Sequence, residues 1–272
     1  MIVESPERAR RTDGPRVGFF GIPVDILSVE QTIDLAEMAM ETRIPMRHVA
    51  LNVAKLINIG ADAELERFVL SSDLIGVDGH GIKLGLRMFG LRNVDRAPGI
   101  DLFYGLLEHC AQRGRRPFVL GATEDSLRLA IAAAELRYPG LEFAGSHHGY
   151  FSSDEEKALA RNIAESGADC LFVAMPSPQK ERFIHTHFDA LDVPFVMGVG
   201  GSVDVLAGLV PRAPQWMQRN GLEWFHRLIR EPRRLFWRYA RTNAAYALLL
   251  GKAIVYRRNP IKAAPADALA TP

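Results

Sequence analysis

The sequence has few of the residues and patterns that mark several common protein classes. Only two of its 272 residues are cysteines, Cys110 and Cys170, which excludes a disulfide framework and a cysteine-rich zinc site. Both lie in predicted apolar elements, which favours reduced thiols in a cytosolic core. No apolar run reaches the roughly 18 residues of a membrane-spanning helix. Residues 1–16 are charged and lack the apolar region of a signal peptide.

Motifs for several enzyme chemistries are also missing. There is no P-loop, no Gly-x-Gly-x-x-Gly turn, no Gly-x-Ser-x-Gly nucleophile and no Asp-x-Asp pair for a divalent ion. A nicotinamide-dependent oxidoreductase is disfavoured, since a Tyr-x-x-x-Lys pattern is lacking too. His185 and His187 point to different sides of a predicted helix, and the pair His147-His148 has no third ligand, so we predict no metal site.

What is present is the composition of an ordinary globular protein, with 48% hydrophobic and 24% charged residues over a length of one or two domains. The net charge of +1 hides an uneven distribution. Between Arg212 and Arg258, eleven Lys/Arg and two Asp/Glu give about +9, whereas the rest of the chain carries about −8. A basic segment on an acidic body indicates an anionic partner such as phosphate, nucleic acid or a membrane surface.

Short apolar runs alternate with helical patterns along most of the chain. We predict strands at Val17–Ile22, Arg47–Leu51, Leu74–Val77, Phe118–Leu120, Glu142–Ala144, Cys170–Ala174 and Phe195–Gly198. Helices are predicted at Ser28–Glu41, Glu64–Leu70, Gly81–Phe89, Asp101–Arg113, Glu124–Tyr138, Asp154–Ser166 and Pro178–Phe188. This alternation is typical of βαβ units and predicts an α/β fold, a parallel sheet with helices on both faces.

The pattern divides the chain into four segments. Residues 1–16 are expected to form a flexible arm and 17–210 the α/β domain. Residues 211–258 form a basic, aromatic-rich helical appendage, and the Ala/Pro-rich residues 259–272 a disordered tail. Pro232 is expected to break or begin a helix.

The appendage carries arginines at helical spacing. They form a stripe if helicity runs through or resumes in register: Arg227, Arg230, Arg234, Arg238 and Arg241. The stripe is either a solvated face over a core-packed helix or a surface for phosphate or anionic lipid. The interleaved aromatic residues fit lipid better than nucleic acid, so we predict a membrane surface as the partner and no nucleic acid. A membrane-dependent monomer and a homo-oligomer that hides the appendage are both compatible with the pattern.

Polar residues follow several predicted strands, where ligands gather in open α/β sheets. Asp78 comes after an apolar strand and before Gly79, so it is either a partly desolvated general base or a helix N-cap. Asn52 closes the preceding strand and suits either a sugar hydroxyl or a cap. Tyr150 lies in a loop, where it either stacks on a base or is half-buried.

Glycine-rich turns follow two other strands. Gly200 and Gly201 open a predicted helix, where bare amides suit a phosphate and Asp204 suits a ribose hydroxyl. Gly121 marks a second turn of this kind. Each turn on its own is a weak signal.

Taken together, several segments resemble one family. VALNVAKL, IGVDGHGI, RAPGIDL, FVLGAT, GSHHGYF, VAMPSPQKE and MGVGGSVDVLAGLVPRAPQWMQRNGLEWFHRLIREPRRL occur in order over residues 18–250. They are similar to the WecB/TagA/CpsF glycosyltransferases, glycosyltransferase family 26. The resemblance implies a Rossmann-like domain with a C-terminal appendage that helps complete the site and bind membrane.

The resemblance also implies an activity. Such enzymes transfer a sugar from a UDP-sugar to a polyprenyl-diphosphate-linked acceptor, with inversion and without a metal or cofactor, at the cytoplasmic face of the membrane. The chain is therefore expected to be a peripheral enzyme of exopolysaccharide or cell-surface glycan synthesis. The alternative is a non-catalytic nucleotide-sugar-binding subunit of such a pathway.

Site roles follow residue by residue from the resemblance. Asp78 matches the candidate base and Asn52 the pocket asparagine. Tyr150 resembles the residue that packs on the uracil, and Asp204 the one that meets the ribose. The donor site is completed by Gly121, Lys180, Gly200 and Gly201. The arginines expected to close over the diphosphate are Arg227, Arg234 and Arg238.

Three positions depart from the family pattern. Ala50 stands where Thr is usual, Ala54 where an acidic residue is frequent, and Lys180 where Gln is usual. The LNVAKL and PSPQKE forms are closer to the exopolysaccharide branch, which includes the xanthan β-glucosyltransferase. UDP-glucose and UDP-glucuronate are therefore candidate donors beside UDP-N-acetylmannosamine.

Overall fold

A computed structural model describes residues 15–263. Within that range the strands are β1 (Arg16–Phe19), β2 (Ile22–Asp25), β3 (Met46–Leu51), β4 (Leu74–Val77), β5 (Pro117–Gly121), β6 (Gly145–His147), β7 (Cys170–Ala174), β8 (Phe195–Gly198) and β9 (Ile261–Ala263). The helices of the first half are α1 (Val29–Thr42), α2 (Val53–Ile59), α3 (Ala63–Leu70), α4 (His80–Met88), α5 (Gly99–Arg113) and α6 (Glu124–Arg137). The later helices are α7 (Glu156–Glu165), α8 (Gln179–Leu191), α9 (Ser202–Leu206), α10 (Gln215–Arg219), α11 (Glu223–Arg230) and α12 (Pro232–Val255).

One sheet runs through the described residues, in the order β6-β5-β7-β8-β3-β4-β2-β1-β9. Every pairing from β6 across to β2 is parallel, and β1 is antiparallel to both of its neighbours. Buried apolar clusters that include β-strand residues pack against α5 and α6, against α2 and α4, and against α7 and α8. The predicted α/β, Rossmann-like fold is confirmed.

Sheet register decides which strand ends meet. Leu51 pairs with Val77 across β3 and β4, and His48 pairs with Met197 across β3 and β8. Because these strands are parallel, the residues after Leu51, Val77 and β8 all emerge at one edge of the sheet. That edge is the predicted position of a ligand site in such a fold.

The first predicted strand is wrong in its length. Val17–Ile22 is not one strand: Phe20 and Gly21 both have positive φ, 49° and 87°, and form a tight turn between β1 and β2. Two positive φ values suit a two-residue hairpin turn, whose twist matches that of the strands. An apolar run alone did not show this turn.

Two further differences have local causes. The predicted strand Glu142–Ala144 lies three residues later, as β6, where Gly145 pairs with Phe118 and a Cβ on Gly145 would come within 2.7 Å of the Phe118 ring. Helix α2 was not predicted, since Val53, Ile57 and Ile59 are β-branched and weak helix formers.

The expected arm and tail fall largely outside the described residues, at 1–14 and 264–272. Their inner ends differ from expectation. Arg16 belongs to β1, and its guanidinium donates to both carboxylate oxygens of Asp25 at 2.6 Å. Ile261–Ala263 is a strand that pairs with β1, because an edge strand offers unpaired backbone groups. The four-segment division itself stays a prediction.

The appendage contains three helices, α10 to α12, and the arginines of the predicted stripe lie on two of them, α11 and α12. Helix α11 ends at Arg230, Glu231 leaves the helical conformation with φ −130° and ψ 59°, and Pro232 begins α12. Pro232 therefore begins a helix as predicted, since its fixed φ suits the first helical position. Helicity does not run through Glu231, so the stripe requires that α12 resume in register, and this stays a prediction.

Helix α12 is anchored in the body of the protein. Tyr246 is 6% exposed, its hydroxyl donates to the Gly81 carbonyl at 3.0 Å, and its ring joins the buried cluster of α2 and α4 together with Leu250. Burial raises the pKa of Tyr246, so this hydroxyl remains a donor. The end of the appendage is thus part of the core.

Two helical glycines make the anchor testable. A Cβ on Gly85 in α4 would overlap the Tyr246 hydroxyl and lie 2.8 Å from the Phe19 ring, whereas a Cβ on Gly251 in α12 meets nothing within 4 Å. We expect Gly85→Ala to destabilise the protein by about 1–3 kcal/mol through overpacking. The matched Gly251→Ala should be neutral or stabilising by up to about 1 kcal/mol. Chemical denaturation measures both, and equal effects would contradict the docking of α12.

Candidate active site

Asn52 and Asp78 stand side by side at the shared strand edge. Each is the first residue after its strand, and the Asp78 N–H donates to the Leu51 carbonyl at 2.9 Å. Asn52 Oδ1 accepts from the Lys55 N–H at 3.0 Å and so caps α2. The Asn52 side chain also interacts with the Asp78 carboxyl and lowers its pKa. One amide therefore begins a helix and lies beside a carboxyl group.

Asp78 is not a helix cap. Helix α4 starts at His80, its N-cap is Gly79 with φ 85°, and no side chain caps it. This removes the alternative role that the sequence left open for Asp78. The carboxyl is available for chemistry at the edge of the sheet.

The surroundings of Asp78 favour its protonated form. Burial raises the pKa of this carboxyl above its ordinary value, although the charge of Arg227, the hydrogen bond from Asn52 and the charge of Arg96 each act to lower it. Glu223 adds a smaller effect that raises the pKa further. A carboxyl with a raised pKa at the edge of a sheet is suited to accept a proton near neutral pH.

An ion pair between body and appendage lies beside Asp78. Arg96, before α5, donates to Glu223 at the start of α11, with 3.0 Å between nitrogen and oxygen. Close packing nearby depends on a glycine, because a Cβ on Gly221 would overlap the His80 ring. The pair and this contact bring Arg227 of α11 towards Asp78.

Lys180 faces the same edge from the start of α8. Its side chain is 16% exposed and follows β7. A Cβ on Gly198 would lie 3.0 Å from the Lys180 Cδ, and one on Gly200 would lie 3.7 Å from its Nζ. The ammonium group therefore lies over the β8–α9 turn.

A buried ion pair lies behind Lys180. Lys55 Nζ is 2.8 Å from Glu181 Oε1, and the two side chains are 7% and 2% exposed. Burial on its own would raise the pKa of Glu181, but the ammonium groups of Lys55 and Lys180 outweigh it and lower that pKa. Glu181 is thus a buried carboxylate between two cations.

His48 closes this region from within the sheet. It is 1% exposed, and burial together with the charge of Lys55 lowers the pKa of His48 to about 3, so its ring is neutral. A cavity of about 20 Å³, large enough to hold water, is lined in part by His48, Lys55, Lys180 and Glu181.

The β8–α9 turn is a weaker anion site than the sequence suggested. Gly200 has φ 53°, which favours glycine, but its N–H is directed to the Val173 carbonyl at 3.4 Å. Gly201 caps α9, whose five residues give only a small helix dipole. Binding of an anion here depends mainly on side chains, and Lys180 is the cation over the turn.

A second group of predicted residues lies farther along the same edge. A Cβ on Gly149 would lie 3.1 Å from the Gly121 Cα, so Tyr150 stands beside the turn after β5. Tyr150 is 74% exposed, which removes the half-buried alternative. Asp204 lies in the first turn of α9. The uracil and ribose roles of Tyr150 and Asp204 stay predictions.

The three appendage arginines differ in position. The charge of Arg227 acts on Asp78. The guanidinium of Arg238 lies 5.2 Å from the Tyr239 ring centre. The side chain of Arg234 lies outside what the structure describes. The role of Arg234 and Arg238 at a diphosphate stays a prediction.

Across residues 15–263, no group of three His, Cys, Asp or Glu side chains could hold a metal ion. Over the same residues, no helix combines the length and apolar character needed to span a bilayer. Cys110 and Cys170 are buried free thiols with 3.7 Å between their sulfur atoms.

Comparison with known proteins identifies the family. Residues 17–260 match the family described as Glycosyl transferase WecG/TagA/CpsF. The chain belongs to this family. The match extends over β3, β4, β8 and the appendage helices α10 to α12, so it includes the whole candidate site.

Two curated relatives of this WecG/TagA/CpsF protein carry the same name, N-acetylglucosaminyldiphosphoundecaprenol N-acetyl-beta-D-mannosaminyltransferase. One, from Bacillus subtilis strain 168, is 36% identical over 171 residues, 63% of this chain and 64% of the relative. The other, from Bacillus spizizenii, is 36% identical over 173 residues, 64% of this chain and 66% of the relative. The matched part is thus just under two thirds of each relative's length.

Sequence reasoning did not single out several residues of the site in this WecG/TagA/CpsF member. Arg96 and Glu223 lie 127 positions apart, and only the docking of α11 brings them together. Lys55 and Glu181 lie in the LNVAKL and PSPQKE segments. Their buried ion pair forms only in the folded chain and is not visible in the sequence.

The raised pKa of Asp78 predicts a pH-dependent cost in stability. An ordinary Asp has a pKa near 3.9 in the unfolded chain, so the folded protein loses stability as pH rises from that value through the raised pKa. Asp78→Asn removes this loss. We expect the variant to unfold at the same temperature as the wild type or above it at pH 7–8, with the difference shrinking towards pH 4.

Differential scanning calorimetry across this pH range measures the effect, and the comparison at pH 4 is the internal control. A variant that is less stable than the wild type at neutral pH and equal to it at pH 4 would contradict the raised pKa.

Proposed function

We propose that the protein is an inverting glycosyltransferase that moves a sugar from a UDP-sugar to a polyprenyl-diphosphate-linked acceptor in exopolysaccharide or cell-surface glycan synthesis. The family supports glycosyl transfer. The observation that carries the proposal is the position of Asp78 at the edge where β3, β4 and β8 end. Its carboxyl caps no helix, has a raised pKa and lies beside Asn52. The names of the relatives support a lipid-diphosphate acceptor.

Asp78 is the proposed general base. It accepts the proton of an acceptor hydroxyl while the hydroxyl oxygen attacks the anomeric carbon of the donor. The bond from that carbon to the β-phosphate oxygen breaks, and UDP leaves with the electron pair. Attack opposite to the leaving group inverts the anomeric centre.

The departing diphosphate carries negative charge, which the site meets with side chains. Arg227, Arg96 and Lys180 all interact with Asp78 and so lie around the reacting groups. Preorganised positive charge in a partly dry cleft is an effective stabiliser of a charged leaving group. We therefore propose that the reaction is metal-independent and that no cofactor takes part.

The appendage, whose helix α11 lies beside Asp78, has a second proposed role at the membrane. Five exposed apolar side chains, four of them aromatic, lie on α11 and the start of α12 and are here called the aromatic patch: Trp224, Phe225, Ile229, Phe236 and Trp237. The same helices also carry exposed arginines. Aromatic residues with interleaved arginines suit the interface of an anionic bilayer. This supports a peripheral protein on the cytoplasmic face of the membrane, where a polyprenyl acceptor is reached.

Loss of the base tests the catalytic proposal. Asp78→Asn should lower the transfer rate by about 10²–10⁴-fold, because a positioned general base contributes that factor. Binding of UDP should remain within a few-fold of the wild-type value. Transfer to a lipid-diphosphate acceptor is measured from a panel of UDP-sugars, with EDTA present in a parallel series.

Near-wild-type turnover by Asp78→Asn would rule out its role as base. UDP-sugar binding with no transfer by the wild type would favour the non-catalytic nucleotide-sugar-binding subunit. Loss of activity in EDTA would contradict the metal-independent mechanism.

The aromatic patch makes a separate prediction. The double change Phe236→Ser and Trp237→Ser should weaken binding to vesicles with anionic lipid by tenfold or more, since each buried aromatic is worth roughly 1.5–3 kcal/mol. Leu136→Ser, on α6, is the matched control because Leu136 is 86% exposed and lies outside the appendage. Vesicle co-sedimentation gives the partition of each variant, and equal partition of all three proteins would contradict the membrane role.

A further inference from the structure

Positively charged side chains outnumber acidic ones at this edge of the sheet. Glu181 is close to two ammonium groups: Lys55 Nζ at 2.8 Å and Lys180 Nζ at 3.9 Å from the same oxygen, Oε1. The shorter distance assigns this carboxylate to Lys55. Lys180 is left at the outer limit of an ion pair.

A wider count gives the same result. Seven charged side chains interact around this edge: the cationic Lys55, Arg96, Lys180 and Arg227 and the acidic Asp78, Glu181 and Glu223. Four cations stand against three acids even when Asp78 is ionised. The surplus of positive charge is larger when Asp78 is protonated, and the raised pKa of this carboxyl favours its protonated form.

The position of Lys180 shows where the surplus is directed. Its methylene chain packs against Gly198, where an added Cβ would lie 3.0 Å from Cδ and 3.1 Å from Cε. Its Nζ reaches past Gly198 to the Gly200 turn. Gly198 has no side chain to obstruct the Lys180 methylenes, and the Lys180 side chain is partly open to solvent, at 16% exposure.

The partly buried Lys180 ammonium lowers the stability of the folded protein. Burial and the charge of the neighbouring Lys55 lower the pKa of Lys180 to about 8, although Glu181 and Asp78 act in the opposite direction. A partly buried ammonium without a close carboxylate is destabilising unless an anion completes its surroundings. In this protein the Lys180 ammonium lies beside the Gly200 turn and interacts with the charge of Asp78, the proposed base.

We infer that Lys180 Nζ is a binding point for an anionic oxygen group of the donor, over the Gly198–Gly200 turn. The group is either the carboxylate of a UDP-hexuronate or the donor diphosphate. Both groups present charged oxygens to an ammonium. Binding of a donor with a neutral sugar depends on Lys180 only if the group is the diphosphate. This inference rests on the proposed function, since it takes the cleft to be the donor site.

Binding measurements with three ligands separate the two sources. Calorimetric titration of UDP, UDP-glucose and UDP-glucuronate is carried out on the full chain, on Lys180→Gln and on Lys180→Arg. Lys157→Gln is the matched control, because Lys157 is an exposed lysine on α7. A charged hydrogen bond predicts a loss of roughly 10- to 100-fold in Lys180→Gln.

If the anion is a sugar carboxylate, the wild type prefers UDP-glucuronate to UDP-glucose by about tenfold or more, and Lys180→Gln loses only this preference. If the anion is the diphosphate, Lys180→Gln weakens all three ligands, including UDP, by a similar factor. Lys180→Arg should retain most of the affinity in either case, because it keeps the charge.

The pH dependence gives a second readout. Charged or titratable groups near Lys180 are Lys55 from α2, Glu181 from α8, Asp78 after β4 and His48 from β3. Because the pKa of Lys180 is about 8 in the free protein, ligand binding should weaken as pH rises above that value. Lys180→Arg keeps its charge at those pH values and should not show this loss.

Wild-type affinity of Lys180→Gln for all three ligands would overturn the inference and leave the proposed function intact. If the wild type binds none of the three ligands, the proposed function fails together with it. A loss of equal size in Lys157→Gln would show a general effect of charge and would also overturn the inference.

Discussion

The parallel pairing of β3 with β4 and β8 is the constraint on which the candidate site depends. Register places Leu51 opposite Val77, so Asn52 and Asp78 leave the sheet as neighbours. The next strand across, β8, ends in the glycine turn over which Lys180 lies. A shift of one residue in either pairing would turn these side chains to the other face of the sheet. The chemistry therefore rests on backbone register before it rests on any side-chain contact.

The appendage packs against the body of the protein and also contributes residues next to Asp78. Tyr246 and Leu250 of α12 fill the cluster beside α4, so the last long helix is held by buried apolar contacts. The Arg96–Glu223 ion pair joins α11 to the body next to Asp78. A protein truncated before α11 would lose this packing as well as any membrane contact. Point variants on the exposed face of α11 and α12 therefore separate folding from binding better than deletion does.

Much of the fold could be predicted because its signals are local. Apolar runs and helical spacing gave the strands from β3 to β8 and the long helices, with β6 displaced by three residues. The β1–β2 turn was missed because an apolar run continues across Phe20 and Gly21. Strand β9 was missed because its partner is an edge strand distant in sequence. These features depend on tertiary pairing rather than composition.

The site divides in the same way. Asp78, Asn52 and Lys180 were identified beforehand because each directly follows a strand or lies in a family motif. Arg96, Glu223, Lys55 and Glu181 were not, since their roles come from ion pairs that form only in the folded chain. The arginines do not share one uninterrupted helix, because the backbone conformation of Glu231 ends α11. Spacing predicts a face of a helix only while the helix continues.

The most direct test of the account is amide hydrogen exchange of the wild-type protein with and without UDP. We predict slower exchange in UDP for the segments that contain the turns after β3, β4 and β8, and for the start of α11. Slower exchange confined to the opposite edge of the sheet, or no change in these turns at saturating UDP, would contradict the assignment of the nucleotide-sugar site to this edge.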